Sequence, residues 1–81
     1  MDPLERLRTA WIEAGYPKEY IPKEQFATVA AHVAAAHDEG EPDFLKAGWA
    51  RAGVDYPFAP NHPRYQLMLE AYRRLAGGVP N

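Results

Sequence analysis

The chain contains neither cysteine nor serine among its 81 residues. The absence of cysteine excludes a disulfide framework, a thiolate metal site and a cysteine nucleophile. The absence of serine removes the other common nucleophile, and no base is implied beside either of the two threonines. Gly-rich phosphate loops, paired-carboxylate signatures and cofactor motifs are missing as well. We therefore expect a protein that is not an enzyme and that carries no cofactor.

Long apolar runs are also lacking. No run approaches the roughly 20 residues that span a bilayer, and the first residues lack the apolar region of a signal peptide. The formal charge of −2 argues against broad attraction to nucleic acid or to an anionic membrane. We expect a cytoplasmic protein. The 14 alanines and 8 prolines, with no serine, are a composition typical of a GC-rich bacterial or phage genome.

Two segments of the chain are similar in sequence at a spacing of 38 residues. The segment LRTAWIEAGYPKEYIP, residues 7–22, aligns without a gap with LKAGWARAGVDYPFAP, residues 45–60. The identical pairs are Leu7 with Leu45, Trp11 with Trp49, Ala14 with Ala52, Gly15 with Gly53 and Pro22 with Pro60. One extra residue, Asn61, then brings Phe26 into register with Tyr65. Two repeats are too few for a solenoid, so we expect them to pack on each other.

Each repeat predicts a helix, an eight-residue proline-rich loop and a second helix. The helices are predicted over residues 3–14, 22–37, 42–52 and from just after Asn61 to residue 76. Asp2 is the predicted N-cap of the first helix, and Gly15, Gly40 and Gly53 are predicted to end the first three. We expect one all-α domain over residues 1–81, with repeats at about 3–39 and 41–77 packed as a pseudo-symmetric four-helix unit.

Apolar positions at three- and four-residue steps predict the core. They are Leu4, Leu7, Trp11 and Ala14 in the first helix, Phe26, Val29, Ala30, Val33 and Ala34 in the second, Phe44, Leu45, Gly48, Trp49 and Ala52 in the third, and Tyr65, Met68, Leu69, Tyr72, Leu75 and Ala76 in the fourth. The two tryptophans could instead be exposed anchors for a partner, because tryptophan is frequent among interface hot spots. A tryptophan on an apolar stripe is more often a core residue.

Aromatic and proline residues are concentrated in the two loops. The aromatic members are Tyr16, Tyr20, Tyr56 and Phe58, and Pro17, Pro57 and Pro60 lie among them. Tyrosine offers a large contact area and a hydroxyl group, which suits a recognition surface. The same side chains could instead cover a thin core, and one residue can do both.

The second and fourth helices begin with cations, although the helix dipole favours anions there. Lys23 opens the second helix, and His62 and Arg64 stand at the start of the fourth. Such positions could hold a phosphate or a carboxylate of a partner, or they could be ordinary solvated charges. The predicted partner-binding residues are Tyr16, Tyr20, Tyr56, Phe58, His62 and Arg64.

The histidines do not predict a metal site. His32 and His37 are five residues apart, which places them about 140° apart around a helix. A zinc-binding pair at an i, i+4 spacing would share one face. The acidic residues that follow His37 lack the ligand order of a calcium loop.

These observations favour a small intracellular protein-protein interaction module that acts as an adaptor, regulator or inhibitor of another protein. Homodimerisation through the alanine-rich face of the second helix is a variant of this interpretation. The alternative is a helix-turn-helix-like DNA- or RNA-binding regulator that reads with Arg64, Gln66, Arg73 and Arg74 on the fourth helix. The net acidity, the long turn and the lack of a basic stripe argue against that alternative.

Overall fold

The structure is a computed structural model that describes residues 1–17, 23–54 and 63–77. These residues form four helices and no strand, which confirms the all-α prediction. The helices are α1 (Pro3–Glu13), α2 (Lys23–Asp38), α3 (Phe44–Arg51) and α4 (Pro63–Gly77). Pro22 and Asn61, predicted to open the second helix and to cap the fourth, lie outside the described residues. None of the described helices is long and apolar enough to cross a membrane.

The first helix begins as its sequence predicts. The Asp2 side chain accepts a hydrogen bond from the Glu5 backbone N–H at 2.8 Å, and Pro3 occupies the first helical position. This bond satisfies one of the N–H groups that a helix start leaves without a partner. The third helix starts two residues later than predicted, because Asp43 is its N-cap and Pro42 precedes that cap.

The first three helices end in the same way. Gly15, Gly40 and Gly53 have φ angles of 89°, 84° and 75°, in the left-handed region that favours glycine. The residue after each glycine donates its N–H to the carbonyl five residues back, as Tyr16 does to Trp11 at 3.2 Å. Each glycine also donates to the carbonyl three residues back. These paired bonds define the Schellman motif, so the predicted helix ends at all three glycines are confirmed.

The helices pack in an arrangement that relates the two repeats. α2 packs closely against α3, α1 packs against α4, and α1 also contacts α2. Exchanging the first repeat for the second turns the α1–α4 pair into the α3–α2 pair. Both pairs therefore join helices from different repeats, and the predicted four-helix unit is confirmed.

The centre of the core is a stack of the two tryptophans. Trp11 and Trp49 are each 1% exposed, and their rings lie 6.2 Å apart at an interplanar angle of 19°. Phe26 meets Trp11 edge-on at 5.7 Å and Trp49 edge-on at 6.3 Å. The tryptophans are core residues, and each repeat contributes one of them to the same contact.

The helices α2 and α3 approach each other closely at Gly48 of α3. A Cβ atom added there would lie 2.3 Å from a Val33 methyl carbon and 2.6 Å from the Val33 Cα atom on α2. Glycine therefore lets the two backbones come nearer than any side chain would allow. The corresponding position of the first repeat is Ala10, which is fully buried.

The predicted core is largely confirmed, with one wrong position. Leu4 is 36% exposed, because the buried stripe of α1 begins one turn later, at Leu7. Ala34 is partly buried. Three fully or largely buried alanines were not predicted, namely Ala10, Ala36 and Ala71. The remaining predicted positions are buried or pack partly buried against the core.

Candidate functional site

Two of the six predicted partner-binding residues lie in the described part of the chain. Tyr20, Tyr56, Phe58 and His62 lie outside it, and their predicted role stays a prediction. Tyr16 is 6% exposed, with its ring 4.9 Å from the ring of Trp11. The sequence left two roles open for the loop aromatics, contact with a partner and covering of the core. Tyr16 therefore has at least the second role.

Arg64, the other described residue of this set, lies beside the end of α1. Its Nε atom is 3.7 Å from the position that a Cβ atom on Gly15 would take. The end of α1 and the start of α4 are therefore neighbours. In the sequence, one predicted aromatic loop follows α1 directly and the other precedes α4 directly. The two loops are thus attached to adjacent helix ends.

Large apolar side chains are exposed on only one pair of helices within the described ranges. They are Met1, Leu4 and Ile12, on or just before α1, and Leu67 on α4. Ile12 is 48% exposed and Leu67 is 51% exposed. Isolated surface hydrophobic residues are ordinary, but within the described ranges these all lie on or just before α1, or on α4. This confinement marks the α1–α4 side as the candidate contact surface.

Two shallow grooves lie on this side. The first, which we call the α1 outer face, is lined by Met1, Glu5, Arg8, Thr9 and Ile12. The second, which we call the α1–α4 groove, is lined by Glu13, Leu67, Glu70, Ala71 and Arg74. Each groove combines an exposed apolar side chain with charges of both signs. Arg74 donates a hydrogen bond to Glu13 across the second groove and so joins the two helices.

One pair of corresponding positions in the two repeats carries opposite charges. Glu13 and Arg51 are equivalent at the repeat spacing, and Glu13 pairs with Arg74. Arg51 instead binds Glu39 through two hydrogen bonds of 2.8 and 3.2 Å. The Arg51 hydrogen bonds hold the pKa of the Glu39 carboxyl below its usual range. The backbones of the repeats are thus related while their surfaces differ in charge.

A third feature, the cation–aromatic cluster, consists of Arg6, His37, Phe44, Tyr72 and Arg73. The Arg6 guanidinium lies 5.5 Å from the centre of the Tyr72 ring and donates to its hydroxyl at 3.4 Å. The Arg73 guanidinium lies 5.4 Å from the centre of the Phe44 ring. His37 packs edge-on against Phe44, with ring centres 4.9 Å apart. Cation–π contacts of this kind stabilise the cluster, which draws on all four helices.

The basic residues of α4 contact different neighbours. Arg73 lies against Phe44 of α3, Arg74 pairs with Glu13 of α1, and Arg64 lies beside Gly15. Gln66 is exposed. Among the described residues, the basic side chains of α4 therefore form no continuous positive face. The nucleic-acid alternative stays a prediction, and no feature of α4 favours it.

The structure also bears on metal binding and on homodimerisation through α2. Within the described ranges, no group of three or more histidine, aspartate and glutamate residues is placed to hold a metal ion. On α2, the alanines at four-residue steps, Ala27, Ala31 and Ala35, are exposed. A neighbour could approach this stripe closely, but no charge pattern accompanies it, and homodimerisation through α2 stays a prediction.

The buried tyrosines predict a loss of stability at alkaline pH. Burial raises the pKa of both the Tyr65 and the Tyr72 hydroxyl above the ordinary value of 10.0. Asp43 raises the pKa of Tyr65 further, whereas the hydrogen bond from Arg6 offsets part of the rise at Tyr72. The folded state therefore keeps its protons at a pH where the unfolded state releases them. The stabilisation is complete below about pH 10 and is lost as the pH rises through the raised folded-state values.

We expect the thermal midpoint, measured by circular dichroism, to fall steeply above about pH 10 for this reason. The double variant Tyr65→Phe and Tyr72→Phe has no phenol at either position and should show a shallower fall over the same range. Lysine deprotonation affects both proteins equally, so the difference between the two slopes isolates the tyrosines. Parallel slopes would show that burial does not shift these hydroxyl groups.

Comparison of the chain with protein-family models, with curated proteins and with solved structures gave no match.

Proposed function

We propose that this chain is a small, non-catalytic protein-protein interaction module of the cytoplasm, which acts on another protein as an adaptor, regulator or inhibitor. The observation that carries the proposal is the confinement of exposed large apolar side chains to the α1–α4 side of the described chain. The contact surface of the proposal is the α1–α4 groove together with the aromatic loops that follow α1 and precede α4 in the sequence.

The groove has the composition of a small interface. Leu67 provides an apolar centre, and Glu13, Glu70 and Arg74 surround it with charges. Protein interfaces typically combine an apolar centre with a polar rim. Burying the exposed half of Leu67 against a partner would contribute about 1 kcal/mol. Leu67 is half exposed and does not belong to the buried core, so its side chain is available for a partner.

The proposal adds the predicted contact residues of the loops to this groove. Arg64 is exposed at the start of α4, beside the end of α1. Tyr20 follows α1 in the sequence, and Tyr56, Phe58 and His62 precede α4. In the proposal these side chains add aromatic contacts and hydrogen-bond donors at one end of the groove. Tyr16 has an indirect role in the proposal. Its ring packs on Trp11 and so positions the chain just after α1, where the first loop begins.

The proposal is tested by affinity capture from the native host with the purified chain as bait, followed by titration calorimetry on the captured protein. Two variants probe the surface: Leu67→Glu in the groove, and Tyr20→Ala with Phe58→Ala in the loops. We expect each variant to bind the partner at least tenfold more weakly, which corresponds to about 1.4 kcal/mol. The variant Lys46→Glu, an exposed position on α3, serves as the matched surface control and should bind as the unmodified chain does.

Circular dichroism must show the same helix content for every variant, so that weaker binding reports on the surface and not on folding. The proposal fails if the host yields no partner. It also fails if the groove and loop variants bind the partner as tightly as Lys46→Glu.

A further inference from the structure

The exposed residues of the α1 outer face are spaced like the contact positions of a coiled coil. Glu5, Arg8 and Ile12 follow one another on α1 at steps of three and four residues. Thr9 and Met1, which precedes the helix by two residues, line the same groove. Alternating steps of three and four are the spacing of the a and d positions of a heptad. Ile12 and Met1, at the two ends of the groove, are apolar, and Glu5 and Arg8 between them carry opposite charges.

This row is separate from the stripe that α1 buries in the core. Leu7, Ala10 and Trp11 occupy the buried side of the helix. Glu5 and Arg8 are exposed, and neither side chain forms an ion pair or a hydrogen bond with another described residue. Charges in a row of contact positions are characteristic of a pairing that selects its partner and its orientation.

The order of the row is complementary to itself when it is read in the opposite direction. In a symmetric antiparallel pair of α1 helices, a two-fold axis between residues 6 and 7 places Ile12 of the partner subunit beside the start of α1, where Met1 precedes the helix. The same axis places Glu5 against Arg8 of the partner subunit. Each of these contacts occurs twice, as a symmetric interface requires. The two central layers then pair opposite charges, and the two outer contacts are apolar.

A parallel pair of the same helices lacks this property. It would set Glu5 against Glu5 of the partner subunit and Arg8 against Arg8 of the partner subunit. Like charges directly opposed in an interface are unfavourable. The charges of the row therefore select the antiparallel orientation.

We propose that a second copy of this chain binds the α1 outer face through the same face of its own, in an antiparallel α1–α1 pair. This self-association goes beyond the proposed function, because it needs no other protein and uses neither the α1–α4 groove nor the loops. The contact spans only about three helical turns, so the interface is smaller than those of permanent dimers and the dimer forms reversibly with concentration.

The test is sedimentation equilibrium of the purified chain from micromolar to millimolar concentration at low salt. The weight-average mass of the unmodified chain should rise from one chain toward two, and salt should weaken the association because the central layers are charged. The variants Glu5→Arg and Arg8→Glu each give both central layers like charges and should associate at least tenfold more weakly. Lys46→Glu on α3 changes charge outside the face and should associate normally.

Complementary charges should restore the association. An equimolar mixture of Glu5→Arg and Arg8→Glu chains should form a mixed dimer, because opposite charges then meet in both central layers. The double variant Glu5→Arg with Arg8→Glu should form a homodimer again. Circular dichroism of each variant confirms that it is folded. Restored association excludes a folding defect as the cause of the single-variant losses.

Three results would overturn the proposal. The first is an unmodified chain that stays monomeric up to millimolar concentration. The second is undiminished association of Glu5→Arg or Arg8→Glu, which would place the dimer contact on another face, such as the alanines of α2. The third is failure of both charge-swapped combinations to associate. The variant Leu67→Glu should leave the dimer intact, so failure of the proposed partner binding is distinguishable from failure of the dimer.

Discussion

Substitution of Trp11 by alanine should lower the free energy of unfolding by about 3 to 5 kcal/mol, the range observed for removing a large buried aromatic side chain. The indole packs against Trp49, Phe26 and Tyr16, and its Nε1 donates to the Pro17 carbonyl at 3.0 Å. Trp49→Ala removes the other half of the stack and should have an effect of similar size. For a domain of this length, each 1 kcal/mol shifts the thermal midpoint by roughly 4 to 8 °C.

Thermal unfolding followed by circular dichroism measures this loss. The control is Leu67→Ala, which removes an apolar side chain that is half exposed and should change the midpoint far less. A chain of 81 residues has a total stability of roughly 4 to 12 kcal/mol. Either tryptophan variant is therefore expected to be partly or wholly unfolded at moderate temperature. A tryptophan variant that kept the midpoint of the unmodified chain would show that the stack is not the centre of the core.

The variant Gly48→Ala should be destabilising, although the same change at an ordinary helical site stabilises a protein. Alanine has the better helix propensity by about 1 kcal/mol. At position 48, however, the added carbon would lie 2.3 to 2.7 Å from atoms of Val33, including its backbone nitrogen and Cα atom. A backbone cannot turn aside as a flexible side chain can, so α2 and α3 must separate. Overpacking of this kind costs about 1 to 3 kcal/mol and sometimes more.

Chemical denaturation gives the sign of this change directly. We expect the free energy of unfolding to fall by up to about 2 kcal/mol once the propensity gain of about 1 kcal/mol is subtracted from the overpacking cost. The comparison variant is Ala50→Gly, at an exposed position of the same helix, which should cost about 1 kcal/mol through propensity alone. An increase in stability for Gly48→Ala would mean that the two backbones are not in contact at this crossing.

The fold was predictable because both repeats carry the same helix-ending and core residues at corresponding positions. Gly15 and Gly53 correspond in sequence, and both end their helices in the left-handed conformation. Trp11 and Trp49 correspond as well, and both are buried. These features depend on local geometry and on the spacing of apolar residues, and a single sequence carries both.

The wrong and missing core positions show what local pattern cannot supply. Leu4 lies within about 20° of Trp11 around the helix axis, so the periodicity assigns it to the buried side. Its exposure depends on how far the neighbouring helices extend along α1, which no local pattern contains. Ala36 and Ala71 were not predicted for the converse reason, since alanine is found equally well on buried and exposed faces of a helix.

The candidate site was less predictable than the fold. The cation–aromatic cluster joins residues from four helices, and Arg6 lies 66 positions away from Tyr72 in the sequence. Only the packing of the helices brings such residues together. The row on the α1 outer face, in contrast, was available in the sequence. Its spacing alone does not show that these positions are exposed, because exposure depends on how the helices pack.

The stacked tryptophans also determine how this protein can come apart. Long repeat arrays can fray from one end, because each unit there contacts only its neighbours. Here each repeat supplies one indole to a contact that neither can form alone, so detaching either repeat exposes the centre of the core at once. Denaturation should therefore be a single all-or-none transition, with no partly folded half to accumulate.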